Sequence, residues 1–260
     1  MMISEVKNIL DSYNSIRLEE MDNVRFMDRS DTKYLLPANR VPDLLVMMKS
    51  RYRVLEINEF RVASYTSVYL DTPDFDFFKQ HVTGRAGRIK IRFRNYHSTG
   101  ITFLEIKKKT KKNRTVKWRI ENSFTGDCCN ESAVDFINRH VKVDTNVLKP
   151  VLINSFKRIT LVGFNMPERV TIDMDLSYIR PGGETTSLPL IAVVELKNEG
   201  FATRSHLSGI IKQLSVYPTA FSKYCIGNAL LYDLPLKNIL KPKLLLLNRI
   251  ENEYNGSLSA

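Results

Sequence analysis

The sequence predicts an α+β domain in which eight antiparallel strands close into a β-barrel with flanking helices. Several segments alternate basic and apolar residues with a period of two, which places the two kinds on opposite faces of a strand. The clearest is 88–94, Arg-Ile-Lys-Ile-Arg-Phe-Arg, in which every second residue is basic. A few segments with helical spacing interrupt the strands, which form the framework.

Residues 88–94 predict a strand with one cationic face and one core face. Segments 101–109 and 112–120 repeat the scheme, and Asn95 to Gly100 reads as a hairpin turn. Neighbouring cations on such a face lie roughly 7 Å apart, and each contact costs about 2 kcal/mol at an effective dielectric near 20. Either an anion binds to this row of cations and neutralises it, or the row is a solvent-exposed face of an edge strand. A flat sheet that binds nucleic acid would also fit, and we favour a barrel lined with charge.

The other elements are predicted from the spacing of apolar residues, from residues that end elements, and from strand-forming residue types. The apolar spacing of residues 3–20 and 38–50 predicts helices, and the strand 33–36 ends at Pro37. β-branched and aromatic residues predict a strand at 61–72. Further predicted elements are a short helix carrying Phe75, Phe78 and His81, a helix at 131–140, strands at 150–163, 169–175 and 188–198, and helices at 204–214 and 221–231.

Composition narrows the class of partner. The chain has 260 residues, of which 43% are hydrophobic, so one domain can bury a sizeable core. A formal net charge of +11 indicates an anionic partner: nucleic acid, an anionic membrane surface or phosphorylated small molecules. Three cysteines form neither a disulfide framework nor a zinc motif, which favours the cytoplasm. We see no signal peptide and no integral membrane segment.

Alternation gathers a large set of charges on one side of the predicted sheet. Glu105 and Glu195 lie among the cations, and a surface that only holds nucleic acid has little reason to include them. Two readings stay open for these glutamates: they bind Mg²⁺ or Mn²⁺ beside phosphates, or each neutralises a neighbouring lysine. The cations on this side are Lys33, Arg88, Lys90, Arg92, Arg94, Lys107, Lys109, Lys117, Arg119, Arg169 and Lys197.

A succession of short motifs resembles a known family. The motifs are Lys33-Tyr34, SVYLDTPDFDFF at 67–78, GRIKIRFRNY at 87–96, FLEIKKK at 103–109, KWR at 117–119, RVTIDMD at 169–175, VVELK at 193–197 and FSKYCIGNAL at 221–230. In order and spacing they resemble the VTC domain, the polyphosphate polymerase domain of the vacuolar transporter chaperone complex. That domain belongs to the triphosphate tunnel metalloenzymes, or CYTH superfamily.

The resemblance implies an enzyme that moves the γ-phosphoryl group of ATP onto a growing inorganic polyphosphate inside a basic tunnel, with Mn²⁺ or Mg²⁺ as cofactor. We predict an N-terminal helix at 1–22, the VTC-type domain at 23–232 and a partly helical tail at 233–260. The alternation along the strands and the resemblance together give the site residues. The predicted catalytic set is Arg88, Arg92, Arg94, Lys107, Lys117, Arg169 and Lys223; the substrate-binding set is Lys33, Lys90, Lys109, Arg119, Arg158 and Lys197; the metal ligands are Glu195 and Glu105.

One departure bears on the reaction. Tunnel hydrolases usually open with an ExExK strand, whereas the matching segment 25–33 has neither glutamate. This favours a polymerase over hydrolysis of tripolyphosphate or a nucleoside triphosphate. A non-catalytic module that binds polyphosphate is a third reading, and nucleic-acid binding is the least favoured. The expected partners are ATP and inorganic polyphosphate or triphosphate, and the sequence leaves the oligomeric state open.

Overall fold

The structure is a computed structural model that describes residues 2–24, 30–112, 114–124, 126, 129–199 and 205–257. The strands are β1 Ser15–Arg17, β2 Ser30–Pro37, β3 Tyr52–Glu56, β4 Ala63–Asp71, β5 Ile89–Tyr96, β6 Ile101–Lys109, β7 Thr115–Glu121, β8 Lys149–Gly163, β9 Glu168–Ile179, β10 Thr185–Leu188 and β11 Ile191–Asn198. The α-helices are α1 Met2–Asp11, α2 Val41–Met48, α3 Asp76–Val82, α4 Glu131–His140, α5 His206–Gln213, α6 Lys223–Leu231 and α7 Lys241–Ser257.

Eight strands form the main path of one sheet, in the order β2-β11-β9-β8-β4-β5-β6-β7. All neighbours along this path are antiparallel, which confirms the α+β class; the whole sheet has eleven described strands rather than the predicted eight. The expected closure into a barrel is not seen, because no ladder joins β2 to β7 among the described residues. The sheet is therefore open, with these two strands at its edges.

Three short strands were missed from the sequence. β3 pairs with the end of β8 and, in parallel, with β1, while β10 adds to β9. The predicted helix over 3–20 is also too long: α1 ends at Asp11, and Ile16 instead lies within β1, where it is buried. Residues 25–29, Cys128 and Arg204 lie outside the described residues, so the predictions made for them meet no structural observation.

Helices α1, α2, α4 and α5 cover the outer face of the sheet, and the charged face points inward. In β5 and β6 the alternate residues Ile91, Phe93 and Leu104 are buried and pack with Phe136 and Ile137 of α4. On the same outer face, α1, α2 and α5 cover β8, β9 and β11 in a second cluster. The third cluster differs, because α6 and α7 pack against inner-face residues such as Tyr69 and Val193. The basic-in, apolar-out reading of these strands is therefore confirmed as geometry.

No described helix combines the length and hydrophobicity needed to cross a lipid bilayer. The division of the chain at 22/23 and 232/233 stays a prediction.

Candidate functional site

The charged face of the sheet encloses a cavity of about 800 Å³. Both edge strands contribute to it, Lys33 from β2 and Lys117 from β7, so the sheet curves around the cavity although its edges are not paired. All of the site residues predicted from the sequence line this one cavity. They are Lys33, Arg88, Lys90, Arg92, Arg94, Glu105, Lys107, Lys109, Lys117, Arg119, Arg158, Arg169, Glu195, Lys197 and Lys223.

Positive charge dominates the described lining, with fourteen Lys and Arg side chains against four carboxylates. The strongest concentration lies where three strands run side by side. Lys107 of β6 stands directly opposite Lys90 of β5 and Lys117 of β7 in the strand register. Directly opposite residues have Cβ atoms about 5 Å apart, and like charges in that position destabilise a sheet. A bound anion would relieve this repulsion.

The electrostatics of this row follow from its neighbours. Arg92 and then burial lower the pKa of Lys107 well below its ordinary value. Burial also lowers the pKa of Lys90, although its ammonium donates to the Ser222 hydroxyl at 3.0 Å. Because the pKa of each lysine is lowered, a phosphate anion that binds nearby would raise it and favour the protonated form.

The next row of the sheet contains an ion pair. Arg92 donates to Glu105 Oε2 from Nε at 2.8 Å and from Nη2 at 2.5 Å. Burial raises the pKa of Glu105, but Arg92 and Arg94 outweigh it, so the pKa is lowered and the carboxylate stays ionised. Tyr69 accepts from Arg92 at 3.1 Å. Glu105 therefore neutralises an arginine on the facing strand rather than Lys107, its neighbour in sequence.

Glu195 also forms ion pairs with cationic side chains. Its Oε1 lies 2.8 Å from Lys197 Nζ and 3.1 Å from Lys33 Nζ, and Lys197 also reaches Asp31 at 3.3 Å. Burial raises the pKa of Glu195, but the opposing effect of Lys197 and Lys33 is larger. The pKa is therefore well below its ordinary value. The carboxylate and its two lysines form one wall of the cavity.

Asp173 is the main site residue that the sequence analysis did not select. Arg158 donates to both of its oxygens, at 2.6 and 2.7 Å, and Lys223 donates to Oδ2. Burial raises the pKa of Asp173, but Arg158 and Lys223 together lower it to about 2. The alternation in RVTIDMD had already placed it on the face of Arg169, which was the available signal.

The N-terminus of α6 closes one side of the cavity. Ser222 caps this helix by accepting from the Cys225 N–H at 3.3 Å, and it also accepts from Lys90. Tyr224 donates to Asp71, whose carboxylate accepts the N–H groups of Phe77 and Phe78 at the start of α3. One buried carboxylate thus joins α3, α6 and the end of β4.

Two aromatic residues near the basic strand also contribute. Tyr96 donates to Glu105 Oε1 at 3.3 Å, and His81 Nε2 lies 2.9 Å from the Ile89 carbonyl. Burial and then Lys90 lower the pKa of His81 to about 3, so its ring is neutral in the range where the lysines are charged. Tyr69 and Asp31, which also line the cavity, were not predicted.

The side chains of the described residues do not fit a resident metal ion. Among the described residues, no three His, Cys, Asp or Glu side chains lie close enough together to hold one. The predicted ligands Glu105 and Glu195 lie on β6 and β11, with four strands between them in the sheet order, and each binds cationic side chains. We derive no chemical step through a metal held by the protein.

The chain is an antiparallel sheet folded around a cation-lined cavity, which is the architecture that the resemblance to the triphosphate tunnel proteins led us to expect. The sequence matches the VTC domain over residues 28–232, and the chain belongs to this family.

Solved structures share the fold at low sequence identity. A candidate adenylate cyclase from Bacillus halodurans is 14% identical, with a TM-score of 0.50, 75% of this chain and 96% of that chain being covered. A candidate adenylyl cyclase from Hippeastrum, described as having a dominant triphosphatase activity, is 14% identical with a TM-score of 0.47, and 81% and 99% of the two chains are covered. No curated protein matches the sequence significantly.

Proposed function

We propose that the protein is a polyphosphate polymerase that transfers the γ-phosphoryl group of ATP to the end of an inorganic polyphosphate chain in the cavity. The observation that carries the proposal is the excess of cations in the described lining, above all the row in which Lys90, Lys107 and Lys117 stand directly opposite one another on three neighbouring strands. Chains of phosphate groups supply closely spaced negative charge that matches such a row.

The chemistry asks for positioning and charge neutralisation rather than a protein nucleophile. A terminal oxygen of the chain forms a bond to the γ-phosphorus of ATP, and the bond from that phosphorus to the β,γ-bridging oxygen breaks. ADP leaves with the electron pair of the broken bond, and the chain grows by one phosphate. Arginines and lysines of the lining hold the phosphate oxygens and balance the charge that develops on the leaving group.

The predicted residues divide by how freely their cationic groups face the cavity. Arg92 and Arg158 are committed to Glu105 and Asp173 and would position as well as bind. Arg94 donates to the neutral Ser67 hydroxyl at 3.2 Å, so its charge is offered to a ligand. In this proposal the phosphates are contacted mainly by Arg94, Lys90 and Lys107. Among the other lining cations, Lys117 and Arg119 are exposed, and Arg88 and Arg169 are half-buried.

ATP enters this proposal as its complex with Mg²⁺ or Mn²⁺, so the metal arrives with the substrate. A cytoplasmic location follows from the proposed ATP supply.

The test follows ADP and polymer together, using purified protein with ATP and Mn²⁺. Arg94→Gln is the sharpest variant, because Arg92→Ala would leave Glu105 buried without its partner and could act through folding. We expect polyphosphate to accumulate in step with ADP, and Arg94→Gln to lower the rate at least tenfold with its far-ultraviolet circular dichroism unchanged. Lys49→Gln, on an exposed helix end, is the matched control.

Other outcomes would select other functions. ADP and free phosphate without polymer would make the cavity a hydrolase site. Binding of polyphosphate with no ADP released in any condition would make it a binding module, and preferential binding of an oligonucleotide would contradict the phosphate-chain reading altogether.

A further inference from the structure

A second cavity, of about 540 Å³, lies on the outer side of the sheet between α3 and α4. Gln80 of α3, the loop before β5, and the end of α4 with the residues after it form its walls. Four of its lining side chains are cationic, and none of its lining residues is an aspartate or glutamate. The cations are Arg85, Lys108, Arg139 and Lys142. We call this the outer cavity, and the cavity within the sheet the inner cavity.

Helix electrostatics explain only part of this charge. Arg139 and His140 stand in the last turn of α4, where positive side chains complement the helix dipole, and Arg139 also forms a weak exposed pair with Asp135 at 3.9 Å. Arg85 and Lys108 belong to other elements and gain nothing from that dipole. Their convergence on the same cavity is therefore a property of the tertiary structure.

The two cavities meet at one rim. Lys108 lines both of them, and its neighbours Lys107 and Lys109 line the inner cavity. Just before the facing strand β5, Arg88 lines the inner cavity while the adjacent Gly87 lines the outer one. Cations thus continue from the inside of the sheet over its rim.

The guanidinium of Arg88 belongs to this rim. Its Nη1 donates to the carbonyls of Gly84 and Arg85 at 2.9 and 3.0 Å, which ties it to the loop that carries the outer cavity's Arg85. These hydrogen bonds fix the position of Arg88, which lines the inner cavity, relative to the loop that carries Arg85 of the outer cavity.

We propose that the outer cavity binds the part of a linear polyphosphate that extends beyond the inner cavity. This inference rests on the proposed function and adds to it a preference for long chains. A tripolyphosphate would be held by the inner cavity alone. A longer chain leaving at Lys108 would meet Arg85, Arg139 and Lys142, where no carboxylate of the lining repels it.

The test compares ligands of two lengths in three proteins. The outer variant carries Arg85→Gln, Arg139→Gln and Lys142→Gln, all at exposed positions, and keeps Lys108 because that residue also lines the inner cavity. The control variant carries Lys7→Gln, Lys49→Gln and Lys212→Gln, also exposed and equal in charge change. Titration calorimetry gives the dissociation constants of tripolyphosphate and of size-fractionated long-chain polyphosphate.

We expect the outer variant to bind long chains about tenfold more weakly than the unchanged protein, and tripolyphosphate within about twofold. The control variant should affect both ligands equally and by less than about threefold. Equal loss for both ligands in the outer variant, or unchanged long-chain affinity, would overturn the outer site while leaving the inner one intact. Absence of tripolyphosphate binding in the unchanged protein would overturn both proposals. An oligonucleotide that displaces the long chain as well as polyphosphate does would reduce the surface to a general polyanion patch and refute the inference.

Discussion

At the scale of single residues, the cavity is organised by three buried or half-buried carboxylates, each of which fixes cations. Glu105, Asp173 and Glu195 hold five basic side chains among them, and those pairs order the lining before any ligand binds. Pre-ordered cations lose less conformational entropy on binding than free lysines would. The carboxylates therefore support anion binding although they lower the net charge.

Asp173 gives the first residue-scale prediction. Asp173→Asn leaves Arg158 and Lys223 without a balancing charge, and we expect the free energy of unfolding to fall by about 3 kcal/mol or more at neutral pH. Because the pKa of Asp173 is lowered from 3.8 to about 2, its stabilising effect is complete above pH 4 and is lost as the pH falls towards 2. Urea unfolding at a series of pH values measures this.

The difference in stability between the two proteins should shrink through that acid range. Asp11→Asn, at an exposed helix end, is the control and should change the free energy of unfolding by no more than about 0.5 kcal/mol. A pH-independent difference for Asp173→Asn would refute the linkage.

Lys107 gives the second residue-scale prediction. Because Arg92 and burial lower its pKa in the free protein, a bound phosphate anion should raise that pKa and draw in a proton. Calorimetric titration with tripolyphosphate in buffers of different ionisation enthalpy measures the uptake. Lys107→Arg, which stays charged throughout, should reduce the uptake without abolishing it, since the pKa values of Lys90 and Lys223 are lowered as well.

The same lowered pKa determines how the affinity for tripolyphosphate changes with pH. As pH rises through the lowered pKa of Lys107, the unchanged protein should lose affinity for tripolyphosphate relative to Lys107→Arg. The ligand's own titration is common to both proteins and cancels. Identical proton uptake in the two proteins would show that Lys107 is already charged when free.

At the scale of elements, α6 is the helix on which the cavity depends. It brings Lys223 to Asp173 and Tyr224 to Asp71, and it packs closely on β8 and β9 through Gly227. A Cβ atom at that glycine would lie 2.5 Å from Tyr178 Cδ1 and 2.8 Å from Leu152 Cδ2. The helix could accept a side chain there only by moving away from the sheet.

Gly227→Ala should therefore lower the free energy of unfolding by about 1–3 kcal/mol through overpacking, and should weaken tripolyphosphate binding because Lys223 moves with the helix. Gly209→Ala in α5 is the matched comparison, since nothing lies within 4 Å of its added Cβ. That change should be neutral or stabilise by up to about 1 kcal/mol. Urea unfolding of both variants decides the matter, and effects of the same sign and size would contradict the packing argument.

At the scale of the whole molecule, alternation along the strands predicted which charges face one another, because a period of two is a local property. Arg88 to Arg94 and Glu105 to Lys109 needed no tertiary information to be placed on one face. Identifying the ion-pair partners did need tertiary information. Asp173 meets Lys223 from 50 positions away, and Glu105 pairs with Arg92 on the neighbouring strand. The roles assigned to these residues remain predictions.

Other features were beyond local patterns for the same reason. β3 carries no strict alternation, and it is a strand because Tyr52 to Val54 pair with the end of β8. Whether β7 meets β2 depends on how all the intervening strands curve, and a sequence pattern holds no signal for that. Ile16 fits a helix and a strand equally well, which is why the length of α1 was overestimated.

The position of β2 in the sheet has a consequence for biosynthesis. Tyr34 pairs with Val194, about 160 positions later in the chain. At ribosomal rates of about 5–20 residues per second, β2 leaves the ribosome roughly 10 to 30 s before its partner strand is made. During that interval Tyr34, Leu35 and Leu36, all buried in the finished protein, have no sheet to cover them. Such an uncovered apolar segment is prone to pair with other chains, and the charges of Asp31 and Lys33 on the same strand oppose this.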